Sequence, residues 1–543
     1  MIALRRLDRA GWRRALLLGV LVAGFFSIRM GQDNNWDLHN YHLYGPFSLL
    51  NGKVGLDLGA GQWQGYFNPT MDLLYYGLVM HLPAPLTSLA MGLLQGLNFV
   101  LLACLAVALL PRRNGAPAWG LSLLLAALGC LGPAFLSQFG STMGDNTSAL
   151  FVLGGLLLVV RGAQDRARAV WRVPPGRNLL GAGLLLGIGA GLKLTNATYA
   201  LALCLALLVL PGRPWLRVRA AWLYGWAVLA GIALAAGHWY WRLWQAFGNP
   251  LFPQFNNIFG SALAPPVGIG DTGWLPKTVL ERVLWPFICM MDPRRISELP
   301  FRHLLWPVIY VLGAAVLALA LRALLRRQPG PLAAQRGTAF LLAFAGVAYL
   351  LWLNLFSIYR YLVPQELLAP LLCWLLLTAL VPGERGRRLA LACVLLGGLS
   401  LFSCGDWGRA GRAWEPFAVD LPQLDAPAAT AVVAIKSDPP QGWLVPFFPK
   451  EVVFLSLSNG FPESPGYVER ALQTLRARPQ RYLMMGPGPV PDLAAAQPRL
   501  QPYGLQAVPG SCRRYAAMIG TSPNDYTLCA LEFITPAAAG DGK

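Results

Sequence analysis

The chain has 543 residues, 55% of them hydrophobic and only 13% charged, with a formal net charge of +19 and a mean hydropathy of +0.48. That balance excludes an ordinary soluble domain and predicts a polytopic membrane protein, mainly α-helical. The basic excess would point to nucleic acid if it formed a patch on a folded surface. It sits instead in short segments between apolar runs, so no nucleic-acid partner is expected.

A bilayer core of ~30 Å takes about 20 apolar residues in a helix. Runs of this kind lie near 15–29, 86–110, 117–137, 147–160, 179–192, 195–210, 220–240, 303–321, 338–356, 361–381 and 389–404, about eleven crossings in all. The pair between 179 and 210 is interrupted by "GLKLTN" and reads as a tight hairpin with Lys193 at its apex. With the N-terminus cytoplasmic, the segments 1–14, 111–116, 161–178, 211–219, 322–337 and 382–388 hold 22 Arg, no Lys and three acids, Asp8, Asp165 and Glu384. These segments carry the whole net charge, which is the positive-inside pattern. "RRLDRAGWRR" resembles the start of a signal peptide, but no small-x-small site precedes Gln32, so the first run reads as an uncleaved anchor. The expected topology is multi-pass, with the N-terminus cytoplasmic and the first loop and the C-terminal segment external.

Three external regions are long enough to carry chemistry: 30–85, 241–302 and 405–543. The first is acidic and aromatic, with two short interfacial helices in "WDLHNYHLYGPFSLLNG" and "PTMDLLYYGLVM". The second is broken by "GNPLFPQFNN" and "APPVGIGDTGW" and carries a small basic excess that favours an anionic partner. The chain thus divides into a transmembrane domain over 1–404, which includes the first two loops, and a soluble domain over 405–543. In the tail, "AVVAIKS", "EVVFLSLS", "RYLMMG" and "YTLCALEFI" read as strands, and "SPGYVERALQTLRARPQ" as a helix opening at Ser464 with Pro465 first. A small mixed α/β domain follows. Cys512 and Cys529, both in the external tail where oxidation is permitted, are expected to form a disulfide. No Walker-type loop, Rossmann fingerprint, CxxC pair or HExxH motif occurs.

The spans are nearly bare of ionisable groups, whereas ion-coupled transporters place such groups near the bilayer midplane. The polar chemistry clusters at the external face, which fits an enzyme acting on a membrane-embedded substrate better than a permease. Asp33 and Asp37, in "DNNWDLHNYH", are candidate site acids; each is also read as a solvated loop acid or a helix cap. His39 and His42, three apart, have a spacing that can ligate metal or simply support the loop by hydrogen bonding. Asp145 in "GSTMGDNTSA" is either a helix N-cap or a site acid. Lys193 either snorkels to the interface or binds an anion, since a lysine inside an apolar block requires an anionic partner. Arg360 is set either to pair with Glu366 or to bind phosphate, and Arg294 and Arg295 read as a surface patch.

Taken together, the first acidic external loop, a second acid at the turn before the fourth span, the many further spans and the external C-terminal domain resemble the GT-C superfamily of integral-membrane glycosyltransferases. Protein O-mannosyltransferases and the aminoarabinose transferase type belong to it. "DNNWDLHNYHLYGPFSLLNG" and "GYFNPTMDLLYYGL" carry the local likeness. The resemblance implies an inverting hexosyl- or pentosyltransferase in a bacterial inner membrane, with its first loop and C-terminal domain periplasmic, that takes a sugar from a polyprenyl-phosphate carrier to a glycan, lipid or protein acceptor. In that reading Asp37, or else Asp33, is the base, while Asp145, Lys193, Arg360, His39 and His42 bind substrate. The family's DxD-like spacing is not met, which favours a monophosphate donor used without metal or other cofactor. The alternative is a lipid-linked glycan flippase.

Overall fold

The computed structural model describes residues 9–112, 116–165, 170–435, 438–457, 463–487 and 493–534. Part of the basic N-terminal segment and the ends of the first two predicted tail strands, Lys436–Ser437 and Ser458, lie outside the described residues. The chain separates into two compact units. One comprises Met1–Met30, Ser88–Ala236 and Asp271–Trp407; the other comprises Gly31–Thr87, Gly237–Gly270 and Gly408–Lys543.

The first unit is built from the apolar runs. The eleven expected spans correspond to eight helices of spanning length and composition and to three shorter apolar ones, Trp119–Gly129, Gly176–Leu192 and Leu194–Leu207. The run at 117–137 is shortened because Gly132 and Pro133 break it, and a five-residue helix, Pro133–Ser137, restarts beyond the break. A break inside hydrocarbon exposes backbone N–H groups that water cannot satisfy. Here the fully buried carboxylate of Glu366 satisfies them, accepting from Phe135 N at 2.9 Å and Ala134 N at 3.3 Å, and also from Tyr359 Oη at 2.7 Å. A Cβ at Gly132 would collide with that carboxylate. The span Tyr359–Leu380, which carries Glu366, is 89% buried and is the hub of the unit. It packs on Trp119–Gly129, Leu305–Leu325 and Gly383–Gly397.

The predicted hairpin is present. Helix Gly176–Leu192 stops at Lys193, whose backbone is extended (φ −143°, ψ 107°), and a 3-10 turn, Leu194–Asn196, starts the return helix Ala197–Leu207. On the outgoing helix, Gly183, Gly187 and Gly191 recur every fourth residue against the backbone of Tyr224, Val228 and Ile232. Small residues at this spacing let helix backbones approach closely, which is how helices associate where no hydrophobic effect separates side chain from lipid.

The second unit is organised on the C-terminal sheet. Strand Thr430–Ala434 runs parallel to both Val453–Ser456 and Gln480–Met485, while Tyr526–Phe533 is antiparallel to Gln480–Met485. Helix Pro465–Arg476 connects Val453–Ser456 to Gln480–Met485; Ser464 Oγ caps it by accepting from Tyr467 N at 3.1 Å. Cys512 and Cys529 are joined in a disulfide. The first external loop is fastened to the same sheet. Leu58 bridges Leu455, with Leu58 N donating to Phe454 O and Ser456 N donating to Leu58 O. Beneath that bridge Asp57 is buried, accepts from Phe454 N at 3.0 Å and pairs with Lys53 at 3.1 Å, whose Nζ also donates to Val452 O at 2.6 Å. Residues 237–270 join through Trp239 Nε1 donating to Tyr66 O and Ser464 Oγ donating to Ala262 O.

Two consequences are measurable. Replacing Glu366 by Leu leaves three buried donors without their acceptor, each costing about 1–3 kcal/mol. Glu366→Leu is therefore expected to lower Tm in detergent well beyond the effect of Glu366→Gln, which keeps one acceptor oxygen; equal Tm values would refute the assigned bonds. Burial raises the Asp57 carboxyl from 3.8 to about 6, against the opposing pull of Lys53. A raised carboxyl favours the folded state while protonated, so its contribution is present below pH 3.8 and is lost as pH rises to about 6. The Tm difference between wild type and Asp57→Asn should change across that window and be flat above it.

Candidate active site

The predicted site residues fall into two constellations, one in each unit. In the helical unit the chain turns at Gly144 (φ 83°), and Asp145 is the first residue of helix Asp145–Ala163 rather than its cap. Its position in the first turn complements the helix dipole. Asp145 Oδ1 lies 2.7 Å from Lys193 Nζ, which also donates to Met143 O at 2.6 Å. The lysine in the apolar block thus has the anionic partner that its position demands. The pair is unequally buried: the Lys193 side chain keeps 17% of its surface exposed and that of Asp145 only 4%. Asp145 Oδ2 is buried with no hydrogen-bond partner among the described residues.

Arg360 belongs to the same constellation. It lies in the 3-10 turn Tyr359–Leu362, a turn held by Tyr199 Oη donating to Tyr361 O at 2.6 Å. The Tyr361 ring has Lys193 Nζ at 5.6 Å and the Arg360 guanidinium at 5.4 Å, both within cation-π range. Arg360 also lies 5.8 Å from the ring of Trp407, whose Nε1 donates to Ser137 Oγ. Of the two readings open for Arg360, the structure gives Glu366 other partners, Tyr359 Oη and the backbone of Ala134 and Phe135. Two cations and an acid therefore meet around one aromatic ring where a hairpin and a helix start come together.

In the other unit, Gln32–Asp33 forms a two-residue ladder with Arg409–Ala410 that sets Asp33 opposite Arg409. Asp33 Oδ1 accepts from Asn35 Nδ2 at 2.7 Å, and Asn35 Oδ1 accepts from Leu38 N at 2.8 Å. This chain of bonds fixes the entry to a π-helical turn, Leu38–His42. Asp37 sits immediately before that turn, is 92% buried and makes no capping hydrogen bond. The neighbouring Trp36 donates from Nε1 to Asp438 Oδ1 at 3.1 Å.

The histidines have separate partners. His39 Nε2 is 2.8 Å from Asn34 Oδ1, and its ring meets Trp443 edge-on at 5.9 Å. His42 Nδ1 is 2.9 Å from Asp72 Oδ1 at the start of helix Asp72–Val79. Burial lowers the His39 pKa to about 4, outweighing the field of Asp33, so the ring is neutral at neutral pH. Among the described residues no group of three or more His, Cys, Asp or Glu is placed to hold a metal ion.

Sequence reasoning named the histidines but missed Asn35 and Asp72. Asp72 stands in the quoted "PTMDLLYYGL", an acid in an apolar helix start; that isolation was the available signal. Asn35 had none.

No family model and no curated protein matches the chain. Two solved structures are similar to it, both of ArnT from Cupriavidus metallidurans. The apo form aligns at 11% identity over 96% of this chain and 98% of that one, with a TM-score of 0.45. The form bound to undecaprenyl phosphate aligns at 13% identity over the same shares, with a TM-score of 0.39. At such identities and scores the functional reading rests on this chain's own side chains.

Proposed function

We infer that the protein is an inverting membrane glycosyltransferase of the GT-C type, taking a sugar from a polyprenyl-phosphate carrier to a glycan, lipid or protein acceptor at the periplasmic face. The observation that carries this reading is the cationic cluster of Lys193 and Arg360 around Tyr361, at a break between apolar helices. A lipid phosphate presents its charge where its apolar tail ends, and a partly exposed lysine beside an arginine at the end of membrane helices meets that requirement. An arginine fork and a lysine point charge together stabilise the charge that grows on the phosphate as it leaves.

In the proposed reaction a carboxylate of the first external loop takes the proton of the acceptor hydroxyl. The hydroxyl oxygen attacks the anomeric carbon, and the carbon–oxygen bond to phosphate breaks with its electron pair passing to the phosphate. One displacement gives inversion. Asp37 is the base in this proposal, because it stands at the head of the π-helical turn whose entry the Asp33 and Asn35 bonds fix. Asp33 then acts as a positioning residue. Asp145 holds Lys193 and retains an acceptor oxygen for a sugar hydroxyl.

Asp37→Asn is expected to lower kcat for transfer from a polyprenyl-phosphate sugar by about 10²- to 10⁴-fold, the usual worth of a general base, with Asp33→Asn less damaging. Full activity in both variants would remove the base assignment. Lys193→Gln should raise KM for the lipid donor and lower kcat. The pairing variant Lys193→Gln with Asp145→Asn should recover Tm without recovering activity. Movement of lipid-linked glycan across vesicles with no transfer product would instead support a flippase.

A further inference from the structure

The helical unit contains a cavity of about 1160 Å³ between helices Leu305–Leu325 and Arg336–Leu355, walled also by Val279–Met291 and Val363–Leu380. It exceeds the ~300–1,000 Å³ of ordinary small-molecule pockets. Most of its wall is apolar, including Val316, Leu342, Leu368 and Leu372, and a hydrocarbon chain would fit such a wall. One end is different in kind. Trp285 Nε1, His303 Nδ1, Tyr349 Oη and Gln365 Nε2 all belong to cavity-lining residues, are buried, and have no hydrogen-bond partner among the described residues.

These four residues lie toward one end of the bundle. His303 precedes helix Leu305–Leu325, Tyr349 is in the last two turns of Arg336–Leu355, and Gln365 is in the first turn of Val363–Leu380. His303 contributes its Nδ1 there, beside the N–H donors of Trp285 and Gln365 and the Tyr349 hydroxyl. Nearby, Tyr359 Oη and Trp306 Nε1 are already consumed, the first by Glu366 and the second by Tyr359. Arg282, which also lines the cavity, is exposed and donates to Asn354 Oδ1. The polar end thus offers neutral N–H and O–H groups just inside a cation.

A polyprenyl chain has no acceptor along its length and would leave those groups unsatisfied. A glycerophospholipid has its ester carbonyls one step inside its phosphate, at the boundary where tryptophan and tyrosine donors concentrate. We propose that this cavity is a binding site for a diacyl glycerophospholipid, its ester carbonyls accepting from the Trp285, His303, Tyr349 and Gln365 group and its phosphate facing Arg282. Lys193, Arg360 and Asp145 are not among the residues that line it, and the proposal does not depend on the transferase reading.

The test compares retention, by native mass spectrometry of the full-length protein, of diacyl phosphatidylglycerol and of its dialkyl ether analogue, which lacks the carbonyls. Wild type is expected to hold the ester lipid at least fivefold more than the ether. In Trp285→Phe with Gln365→Leu the ratio should approach one. Gly346→Phe, which grows into the cavity from a position where a Cβ meets nothing within 4 Å, should lose both lipids while keeping the wild-type Tm. Equal retention of ester and ether by wild type overturns the proposal without any variant. So does an unchanged preference in the double variant. Displacement of the ester lipid by polyprenyl phosphate also overturns it and assigns the cavity to a donor's tail.

Discussion

The helical unit depends on one buried carboxylate. Inside hydrocarbon every backbone polar group must find a partner within the protein, and the break at Gly132–Pro133 violates that rule until Glu366 arrives from another helix. The span that carries Glu366 is the most buried of the candidate spans, and from it one side chain reaches the broken segment and the Tyr359 hydroxyl at once. Tyr359 in turn accepts from Trp306. A chain of bonds therefore runs across three helices and fixes the turn at Tyr359–Leu362, on which Arg360 and Tyr361 stand.

The charged groups of this unit follow the same economy of position. Lys193 interrupts an apolar hairpin, yet its ammonium is matched by Asp145 and by a carbonyl. A buried pair of this kind gives little net stability, since desolvation offsets attraction, but removing one partner is costly. What such a pair secures is placement. Lys193 keeps part of its surface, faces the Tyr361 ring and is held there by a neighbour that cannot itself move into water.

Much of this was legible in the sequence. Apolar run length locates every helix of spanning length among the described residues, and a lysine inside an apolar block calls for an anion, which Asp145 supplies. Ser464 and Pro465 announced the tail helix through capping chemistry that is local to four residues. The failures are non-local. The pairing of Leu58 with Leu455 joins residues nearly 400 positions apart, and no periodicity in either segment encodes the partner, so the grouping of the first loop with the tail sheet was not foreseen. The spacing of His39 and His42 admits metal ligation or hydrogen bonding, and in the π-helical turn each ring has a polar partner of its own. The run at 117–137 is continuous in hydropathy but not in structure, because Pro133 starts a new helix inside it.

Orphaned buried polar atoms occur in several parts of the fold, and the ones that bear on function are those beside a cation or a cavity. Glu366, Lys53 and Asp57 are as buried as any residue in the chain, and their bonds close within the protein. Asp145 is almost as buried but keeps an oxygen unspent beside two cations. The Trp285, His303, Tyr349 and Gln365 group keeps four atoms unspent beside a cavity. An unpaired polar atom in a low-dielectric interior is expensive, and a ligand in the adjoining cavity would remove that cost for these four. That they stay open, and that they stay open next to a volume large enough for a lipid, is the physical reason to read them as addressed to a ligand.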